Sequence, residues 1–308
     1  MKEETIAGLR AAGLEPDDTE WIVRRALEED FRYGPDVTSM ATAPVGSVVT
    51  GDVVSRAHGV VAGLAVAVAV ADLAAAGGST GAAGSGGAAG RVDGAIEARA
   101  LCDEGTRIGP GDAVLRVSGP ATAVLGVERT MLNFLTHLSG IATATRAWAD
   151  AVEGTGAQIR DTRKTMPGLR LLEKFAVRCG GGVNHRMGLG DAALIKDNHV
   201  AAAGGVAKAI AAIRRTAPGM PLEVECDNLA EVRESLEAGA RFILLDNMST
   251  DELRAAVAVA RRYPGVRLEA SGGLRLETAR AVALCGVDYL AVGALTHSSP
   301  ALDLGLDF

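Results

Sequence analysis

The sequence predicts an α/β protein in two parts: an N-terminal unit of helices and antiparallel strands, and a C-terminal reduced barrel of about six parallel strands. The chain of 308 residues is long enough for one large domain or two ordinary ones. Its first third mixes helical and β-like runs, whereas short apolar runs alternate with helical segments from residue 158 onward. This alternation occupies about 150 residues, and an eight-stranded barrel needs about 250, so about six strands are expected.

The N-terminal elements follow from local periodicity and turn residues. In chain order they are a helix at 17–29, a β-like run at 47–55, a helix at 64–76, a β-like run at 94–101, short strands ending at 114–117 and a long helix at 121–151 that bridges to the barrel. The run at 64–76 is apolar, but Asp72 interrupts it and Gly63 precedes it, which favours a buried helix over a membrane span. Residues 77–90 are almost entirely Gly, Ala and Ser and predict a flexible excursion.

The barrel is predicted from six short apolar runs separated by helical segments. The predicted strands are 158–161, 193–196, 222–225, 242–246, 267–270 and 289–292. The predicted helices are 202–215, 229–238, 250–261 and 275–285. The carboxyl ends of parallel barrel strands share one rim, where active sites form, so side chains that end these strands are the candidates for function.

Composition and cysteine spacing exclude several classes of protein. A net charge of −7 argues against non-specific binding to nucleic acid. The cysteines Cys102, Cys179, Cys226 and Cys285 form no C-x-x-C pair, so neither a zinc site nor a redox motif is visible. Scattered cysteines and a charged N-terminal sequence without an apolar signal core favour reduced thiols and a cytoplasmic location.

A cationic segment stands out in this acidic chain. Residues 160–197 contain eight basic and four acidic side chains, a net charge of +4 (eight minus four) against −7 for the whole chain. Arg163, Lys164, His185 and Arg186 lie there, close to three consecutive glycines. Local positive charge concentrates small anions, and arginine binds carboxylate or phosphate through two parallel hydrogen bonds. The sequence therefore predicts a small, multiply charged anionic substrate.

Charged side chains end three of the predicted strands. Glu225 and Asp246 could hold Mg²⁺, bind sugar hydroxyls or act in acid–base chemistry, and the alternative is that they cap the helices that follow. Lys196 could form a Schiff base or bind an anion, and the alternative is a surface ion pair with Asp197.

Glycines follow the last two predicted strands, in Ser271-Gly272-Gly273 and Gly293-Ala294. Glycine lets the backbone approach an anion closely, and loops after the last barrel strands commonly bind phosphate. We expect a phosphate site here, with the first of these segments opening a helix; ordinary tight turns are the alternative.

At these residues the chain resembles the quinolinate phosphoribosyltransferase family, over nearly its whole length. The matching barrel motifs are Asp161-Thr-Arg-Lys-Thr-Met-Pro-Gly-Leu-Arg170, Gly180-Gly-Gly-Val-Asn-His-Arg186, Leu194-Ile-Lys-Asp-Asn-His199, Glu223-Val-Glu225, Leu244-Leu-Asp-Asn-Met248 and Glu269-Ala-Ser-Gly-Gly273. Upstream, Asp36-Val-Thr-Ser39 and Glu128-Arg-Thr-Met-Leu-Asn133 are similar to the family's N-terminal signature and interdomain helix.

The resemblance implies an N-terminal α/β sandwich followed by an incomplete α/β barrel. We assign these domains to 1–133 and 134–308 and expect the C-terminal tail to pack back on the N-terminal domain. It also implies a homodimer, or a larger oligomer built from dimers, in which one subunit's N-terminal domain covers its partner's barrel mouth. The implied reaction transfers phosphoribosyl from phosphoribosyl pyrophosphate to quinolinate with decarboxylation, giving nicotinate mononucleotide, pyrophosphate and CO₂ in de novo NAD biosynthesis. Mg²⁺ accompanies the donor, and no organic cofactor, nucleic acid or membrane is implied.

The resemblance also implies the roles of the site residues. The residues implied for quinolinate are Thr162, Arg163, His185, Arg186, Lys196 and, reaching in from the other protomer, Arg129 of the partner subunit. Those implied for phosphoribosyl pyrophosphate are Lys164, Lys196, Glu225, Asp246, Ser271, Gly272, Gly273, Gly293, Ala294 and His297. The implied catalytic residues are Lys164, Glu225 and Asp246, the last two also holding Mg²⁺ through the substrate.

Three other interpretations remain open. A paralogue of the family associated with molybdenum transport, or a relative that uses nicotinate, would lack partners for one carboxylate of quinolinate. A Schiff-base aldolase acting on a phosphorylated sugar would use Lys196 and the glycine loops. A regulatory module that binds a phosphorylated ligand would not need so many converging charges.

Overall fold

The computed structural model describes residues 1–76 and 94–308, which form two compact units. The N-terminal unit comprises Met1–Thr143, Pro167–Gly180 and Ser299–Phe308, and the barrel unit comprises Ala144–Met166 and Gly181–Ser298. The long helix α5 (Ala121–Ala151) contributes residues to both. The boundary placed after residue 133 falls inside α5 and stays a prediction.

Antiparallel strands and helices make up the N-terminal unit. Besides α5 its helices are α1 (Glu3–Ala11), α2 (Pro16–Phe31), α3 (Val37–Thr42), α4 (Leu64–Ala76) and α6 (Arg170–Cys179). Its strands are β1 (Val48–Ser55), β2 (Gly59–Val60), β3 (Glu97–Ala100), β4 (Arg107–Ile108), β5 (Ala113–Pro120) and β12 (Leu304–Asp307). One antiparallel sheet has the order β12-β1-β5-β3, and β2 pairs with β4. The chain therefore returns at its C-terminal end to complete this sheet.

Apart from Asp72, helix α4 is apolar on all sides, which is typical of a buried helix. Val66, Ala67 and Val70 have no exposed surface. The carboxylate of Glu104 accepts hydrogen bonds from the backbone N–H groups of Gly63 (2.8 Å) and Ala65 (3.0 Å), which satisfies donors at the first turn. The prediction of a buried helix at 64–76 is confirmed, and no described helix is both long and apolar enough to cross a bilayer. The predicted excursion at 77–90 lies outside the described residues.

Six parallel strands form the barrel unit, as the sequence predicts. They are β6 (Gln158–Arg160), β7 (Ala193–Ile195), β8 (Leu222–Cys226), β9 (Phe242–Asp246), β10 (Arg267–Ser271) and β11 (Tyr289–Ala291). The sheet order is β6-β11-β10-β9-β8-β7, so β6 and β7 stand at its two ends. Val183 adds a single parallel bridge to Arg160 at the free edge of β6. The fold is an incomplete α/β barrel.

Helices follow the barrel strands with one departure from the prediction. They are α7 (Asp197–Ala203), α8 (Val206–Thr216), α9 (Leu229–Glu237), α10 (Thr250–Ala260), α11 (Leu276–Ala283) and the short α12 (Ala294–His297). The helix predicted at 202–215 is confirmed as α8, but its predicted start is wrong, because Gly204 (φ 76°) and Gly205 (φ 132°) separate α8 from α7. A left-handed glycine ends a helix by satisfying its last carbonyl groups.

Candidate active site

A cavity of about 340 Å³ opens at the carboxyl ends of the barrel strands. Its lining consists of Thr162, Arg163, Lys164, His185, Arg186, Leu194, Lys196, Glu225, Leu244, Asp246, Glu269, Ser271 and Ala291. Nine of these were predicted as site residues, and Leu194, Leu244, Glu269 and Ala291 were not. The volume suits a small ligand, and the rim position is where barrel enzymes place their chemistry.

A larger cavity, of about 840 Å³, lies in the N-terminal unit among α1, α4 and β3. Its buried charged groups already form hydrogen bonds that stabilise the N-terminal unit. Asp72 accepts a hydrogen bond from the backbone N–H of Lys2, and Glu104 holds the first turn of α4. The barrel cavity is therefore the better candidate for an active site.

Two guanidinium groups face the barrel cavity. Nε of Arg163 is buried and has no hydrogen-bond partner among the described residues. Arg186 is held by a 2.9 Å hydrogen bond from Nη1 to the carbonyl oxygen of Ala192, and burial together with the nearby charge of Arg163 lowers the Arg186 pKa. A buried donor without an acceptor costs free energy, and so do adjacent like charges. A bound anion would relieve both costs.

Lys196 forms an ion pair with Glu225 on the neighbouring strand, so the alternative pairing with Asp197 is wrong. The other carboxylate at this rim, Asp246, accepts a 2.6 Å hydrogen bond from the side chain of Asn247. The strand order β7-β8-β9 sets these three strand ends side by side. Opposite charges therefore share one side of the cavity.

Other residues cap the helices that follow these strands. Asn228 accepts hydrogen bonds from two backbone N–H groups at the start of α9, and Ser249 forms a reciprocal capping box with Glu252 at the start of α10. The alternative role of Glu225 and Asp246 as helix caps is therefore wrong, and both carboxylates remain at the rim.

The two glycine loops lie beside the cavity lining. Gly272 has φ +84°, and a Cβ atom there would lie 2.3 Å from Oδ1 of Asn247, so only glycine fits. Gly293 precedes α12, and a Cβ atom there would lie 3.0 Å from Cδ of Lys164 and 3.5 Å from Nε2 of His297. The expectation that Ser271-Gly272-Gly273 opens a helix is wrong, because α11 begins only at Leu276.

A layer of buried charges lies beneath the cavity. Glu223 and Glu269 are 5% and 0% exposed, and burial raises the pKa of each carboxyl to about 7. Arg160 donates a 2.5 Å hydrogen bond to Glu269. The three side chains come from the alternate strands β6, β8 and β10, as layers inside a barrel do.

Sequence reasoning missed this layer as a functional feature, although its signal is present in the strands. Arg160, Glu223 and Glu269 each stand two residues before a rim residue, respectively Thr162, Glu225 and Ser271. Residues two apart on a strand face the same side of the sheet. A charged residue at that position therefore points into the barrel below the rim.

Arg129 is exposed on α5, in the N-terminal unit. Gly272, Gly273, Gly293, Ala294 and His297, also predicted as site residues, belong to the barrel unit but not to the cavity lining given above.

An incomplete parallel barrel with a cationic cavity at the strand ends defines an α/β-barrel enzyme that acts on small anions. Two family models match the chain: the quinolinate phosphoribosyl transferase N-terminal domain over residues 36–139 and its C-terminal domain over residues 141–307. The chain belongs to the quinolinate phosphoribosyltransferase family, and it is a phosphoribosyltransferase.

Similar proteins agree with this assignment. The carboxylating nicotinate-nucleotide pyrophosphorylase of Mycobacterium leprae is 52% identical over 290 residues, covering 92% of this chain and 95% of that protein. The probable carboxylating nicotinate-nucleotide pyrophosphorylase of a Synechocystis species is 39% identical, covering 82% of this chain and 80% of its own length. The crystal structure of NadC from Streptococcus pyogenes superposes with a TM-score of 0.85 at 36% identity, covering 96% of this chain and 97% of the other.

Proposed function

We propose that this protein transfers phosphoribosyl from phosphoribosyl pyrophosphate to quinolinate with loss of one carboxylate, giving nicotinate mononucleotide, pyrophosphate and CO₂. One observation carries the proposal: a chain that matches both family domains has a cavity in which Arg163, Lys164, Arg186 and Lys196 converge. Such cations suit a dicarboxylate and a polyphosphate together. The reaction belongs to de novo NAD biosynthesis.

Quinolinate binds to the cations on one side of the cavity in this proposal. Arg163 and Arg186 bind its carboxylates, since the buried Nε of Arg163 needs an acceptor. Lys196 is the third cation, and His185 and Thr162 are the remaining quinolinate-binding residues on this subunit. Because Lys196 forms an ion pair with Glu225, we assign it to anion binding and not to a Schiff base.

Phosphoribosyl pyrophosphate binds next to quinolinate. The 5′-phosphate lies against the glycine loops, at Ser271, Gly272, Gly273, Gly293 and Ala294, with His297 nearby. Gly272 supports this role because its backbone comes so close to Asn247 that a Cβ atom would not fit. Lys164 faces the pyrophosphate. Glu225 and Asp246 bind the ribose hydroxyls.

The chemistry is mainly positioning and electrostatics. The cations align the ring nitrogen of quinolinate with the anomeric carbon of the donor. Glu225 and Asp246 stabilise positive charge that develops on the ribose, and Lys164 stabilises negative charge on the departing pyrophosphate. Once the ring nitrogen is alkylated, its positive charge stabilises the electron pair left on the neighbouring ring carbon when CO₂ departs, and that carbon then takes a proton from solvent.

Mg²⁺ enters as part of the donor substrate. Magnesium is typically held by one or two carboxylates together with substrate phosphates, and Glu225 and Asp246 provide such carboxylates at the cavity wall. When bound, the ion neutralises charge on the pyrophosphate. The residues present therefore fit the metal, and they hold it through the substrate.

The active site is completed by a second copy of the chain. Arg129 of the partner subunit reaches the carboxylates of quinolinate. Exposed apolar side chains on both units support an assembly: Trp21 and Val37 in the N-terminal unit are 65% and 70% exposed, and Leu189 in the barrel unit is 73% exposed. We propose a homodimer or an oligomer built from dimers. The cytoplasmic location stays a prediction.

Turnover with quinolinate, phosphoribosyl pyrophosphate and Mg²⁺ tests the function, with nicotinate as the parallel substrate. Nicotinate mononucleotide and CO₂ should form in equal amounts from quinolinate, and nicotinate should not react. Activity with nicotinate alone would point to a relative of different specificity. A borohydride-stable adduct on Lys196 would overturn the mechanism in favour of an aldolase.

A further inference from the structure

Both ring nitrogens of His185 are engaged by the protein. The backbone N–H of Arg186 donates to Nδ1 of His185 at 2.7 Å. A backbone N–H cannot accept a proton, so Nδ1 is unprotonated and the ring proton lies on Nε2. Nε2 lies 3.0 Å from Oε2 of Glu223 and 3.6 Å from Oε1 of Glu269. His185 is therefore a neutral imidazole whose Nε2–H lies beside two buried carboxyl groups.

One of these two carboxyl groups, that of Glu269, is also held by Arg160. Nη1 of Arg160 donates to Oε2 of Glu269. The guanidinium of Arg160 lies 5.0 Å from the ring centroid of Phe242 and 4.8 Å from that of Tyr289, a geometry that favours a cation over an aromatic face. The ionic layer is thus anchored to strands that surround the barrel interior.

The backbone around His185 is fixed as well. The carboxylate of Asp161, which has no exposed surface, accepts the backbone N–H of His185 at 2.8 Å and the side-chain amide of Asn184 at 2.5 Å. Arg186 follows directly and lines the cavity. A rotation of the His185 ring would break the bond to the backbone of Arg186.

We propose that Glu223 and Glu269 are positioning residues for quinolinate recognition, acting through His185; this rests on the function proposed above. The two glutamates hold Nε2 of His185 toward the barrel interior, so the carbon atoms of the imidazole ring face the cavity. His185 then serves as a neutral wall for the pyridine ring, and the carboxylates of quinolinate go to Arg163, Arg186 and Lys196. The buried charged residues act by fixing the orientation of the His185 ring, and neither glutamate touches the reacting atoms.

Nitrogen-15 NMR of the ligand-free protein tests the tautomer without any need for turnover. The ring signals of His185, assigned by their loss in His185→Gln, should be those of an Nε2–H tautomer. Glu223→Met should give a mixture of tautomers. An Nδ1–H tautomer in the unaltered protein would overturn the proposal. So would a metal-bound Nε2, which is the alternative use of His185, Glu223 and Glu269, whose ligand atoms lie within 4.8 Å of one another.

Steady-state kinetics test the role in recognition. Glu223→Met and Glu269→Met should raise KM for quinolinate about tenfold or more, since each removes a carboxyl group that lies beside Nε2 of His185. KM for phosphoribosyl pyrophosphate should stay within about twofold, and the Gln variants, which retain an acceptor of the same shape, should recover most of the loss.

Asp288→Asn is the matched control. It removes a carboxylate that pairs with Arg267 and accepts from the backbone of Leu268, at the opposite end of β10 from the cavity. It should leave KM for quinolinate unchanged. The positioning role would be overturned if the glutamate variants raised KM equally for quinolinate and for phosphoribosyl pyrophosphate. A fall in kcat with both KM values unchanged would overturn it as well. If a methionine variant does not fold, the NMR measurement on the unaltered protein still tests the tautomer of His185. Failure of the unaltered enzyme to use quinolinate would refute only the proposed function.

Discussion

Lys196 and Glu225 form an ion pair between the ends of the neighbouring strands β7 and β8, at the wall of the barrel cavity. In the proposed function the two groups serve different substrates, quinolinate and the phosphoribosyl donor. Each charge is thus neutralised by the other in the structure. An anion that binds Lys196 would release Glu225 toward the ribose, which couples the two halves of the site.

Glu225→Gln should lower kcat about 100- to 1000-fold, the usual effect of removing one group that stabilises charge in a transition state. KM for quinolinate should change little, because Lys196 remains free to bind the anion. Steady-state kinetics with each substrate varied in turn would measure both effects. Glu234→Gln, at an exposed position on α9, is the control and should behave as the unaltered enzyme. A retained kcat in Glu225→Gln would remove the residue from the catalytic set.

Arg163→Lys should raise KM for quinolinate about tenfold or more, because lysine keeps the charge but loses the planar donor that includes Nε. That Nε is buried and has no hydrogen-bond partner in the part of the chain that the structure describes, so we expect the loss to fall on a bond to the substrate. Arg262→Lys, at an exposed position, is the matched control. Equal KM values for Arg163→Lys and the control would show that the guanidinium geometry is not used.

Gly272→Ala should weaken binding of the phosphoribosyl donor and destabilise the fold. The left-handed backbone alone costs about 1–2 kcal/mol for a residue with a Cβ atom. Gly265→Ala isolates that cost, since Gly265 has φ +75° and open space around its Cβ position, whereas the Cβ of residue 272 would meet Asn247. Thermal unfolding and KM for phosphoribosyl pyrophosphate would be compared. Only Gly272→Ala should raise that KM, and an equal effect of both variants would contradict the close approach.

Cys179 should resist alkylation. Burial raises the pKa of its thiol to about 12, and the thiolate is the reactive form. At pH 8 its thiolate fraction is then about a thousandfold lower than that of a free cysteine with a pKa near 8.5. Mass spectrometry after iodoacetamide treatment should find Cys179 and Cys226, which has a similarly raised pKa, modified only in the unfolded control. Rapid labelling of the folded protein would contradict this.

Mixed subunits should show whether two chains share the site. Arg129→Ala and Arg163→Ala should each be nearly inactive alone. Reassembled as a mixture, they should recover about a quarter of the unaltered activity, because half of the dimers are mixed and each has one intact site of two. Absence of recovery, with mixed dimers demonstrated by tagged subunits, would contradict a contribution from Arg129 of the partner subunit.

Local patterns were enough to predict the buried helix α4, the bridging helix α5 and the six barrel strands. They failed at Gly204 and Gly205, where a helical pattern continues across a break that only backbone conformation reveals. They also missed β12, whose four residues form a strand because β1 offers an edge. Short segments of this kind acquire their conformation from a distant partner and not from their own periodicity.

By itself the sequence determined the two-part organisation and the concentration of cations in residues 160–197. It also determined the side chains that end each barrel strand, because periodicity fixes which face and which end of a strand a residue occupies. The tertiary structure decided which charged side chains lie next to one another. Lys196 pairs with Glu225 and not with its neighbour Asp197, and Glu223 reaches His185 across the barrel interior. Such pairings depend on strand order and register, which arise only when non-local backbone hydrogen bonds assemble the sheet.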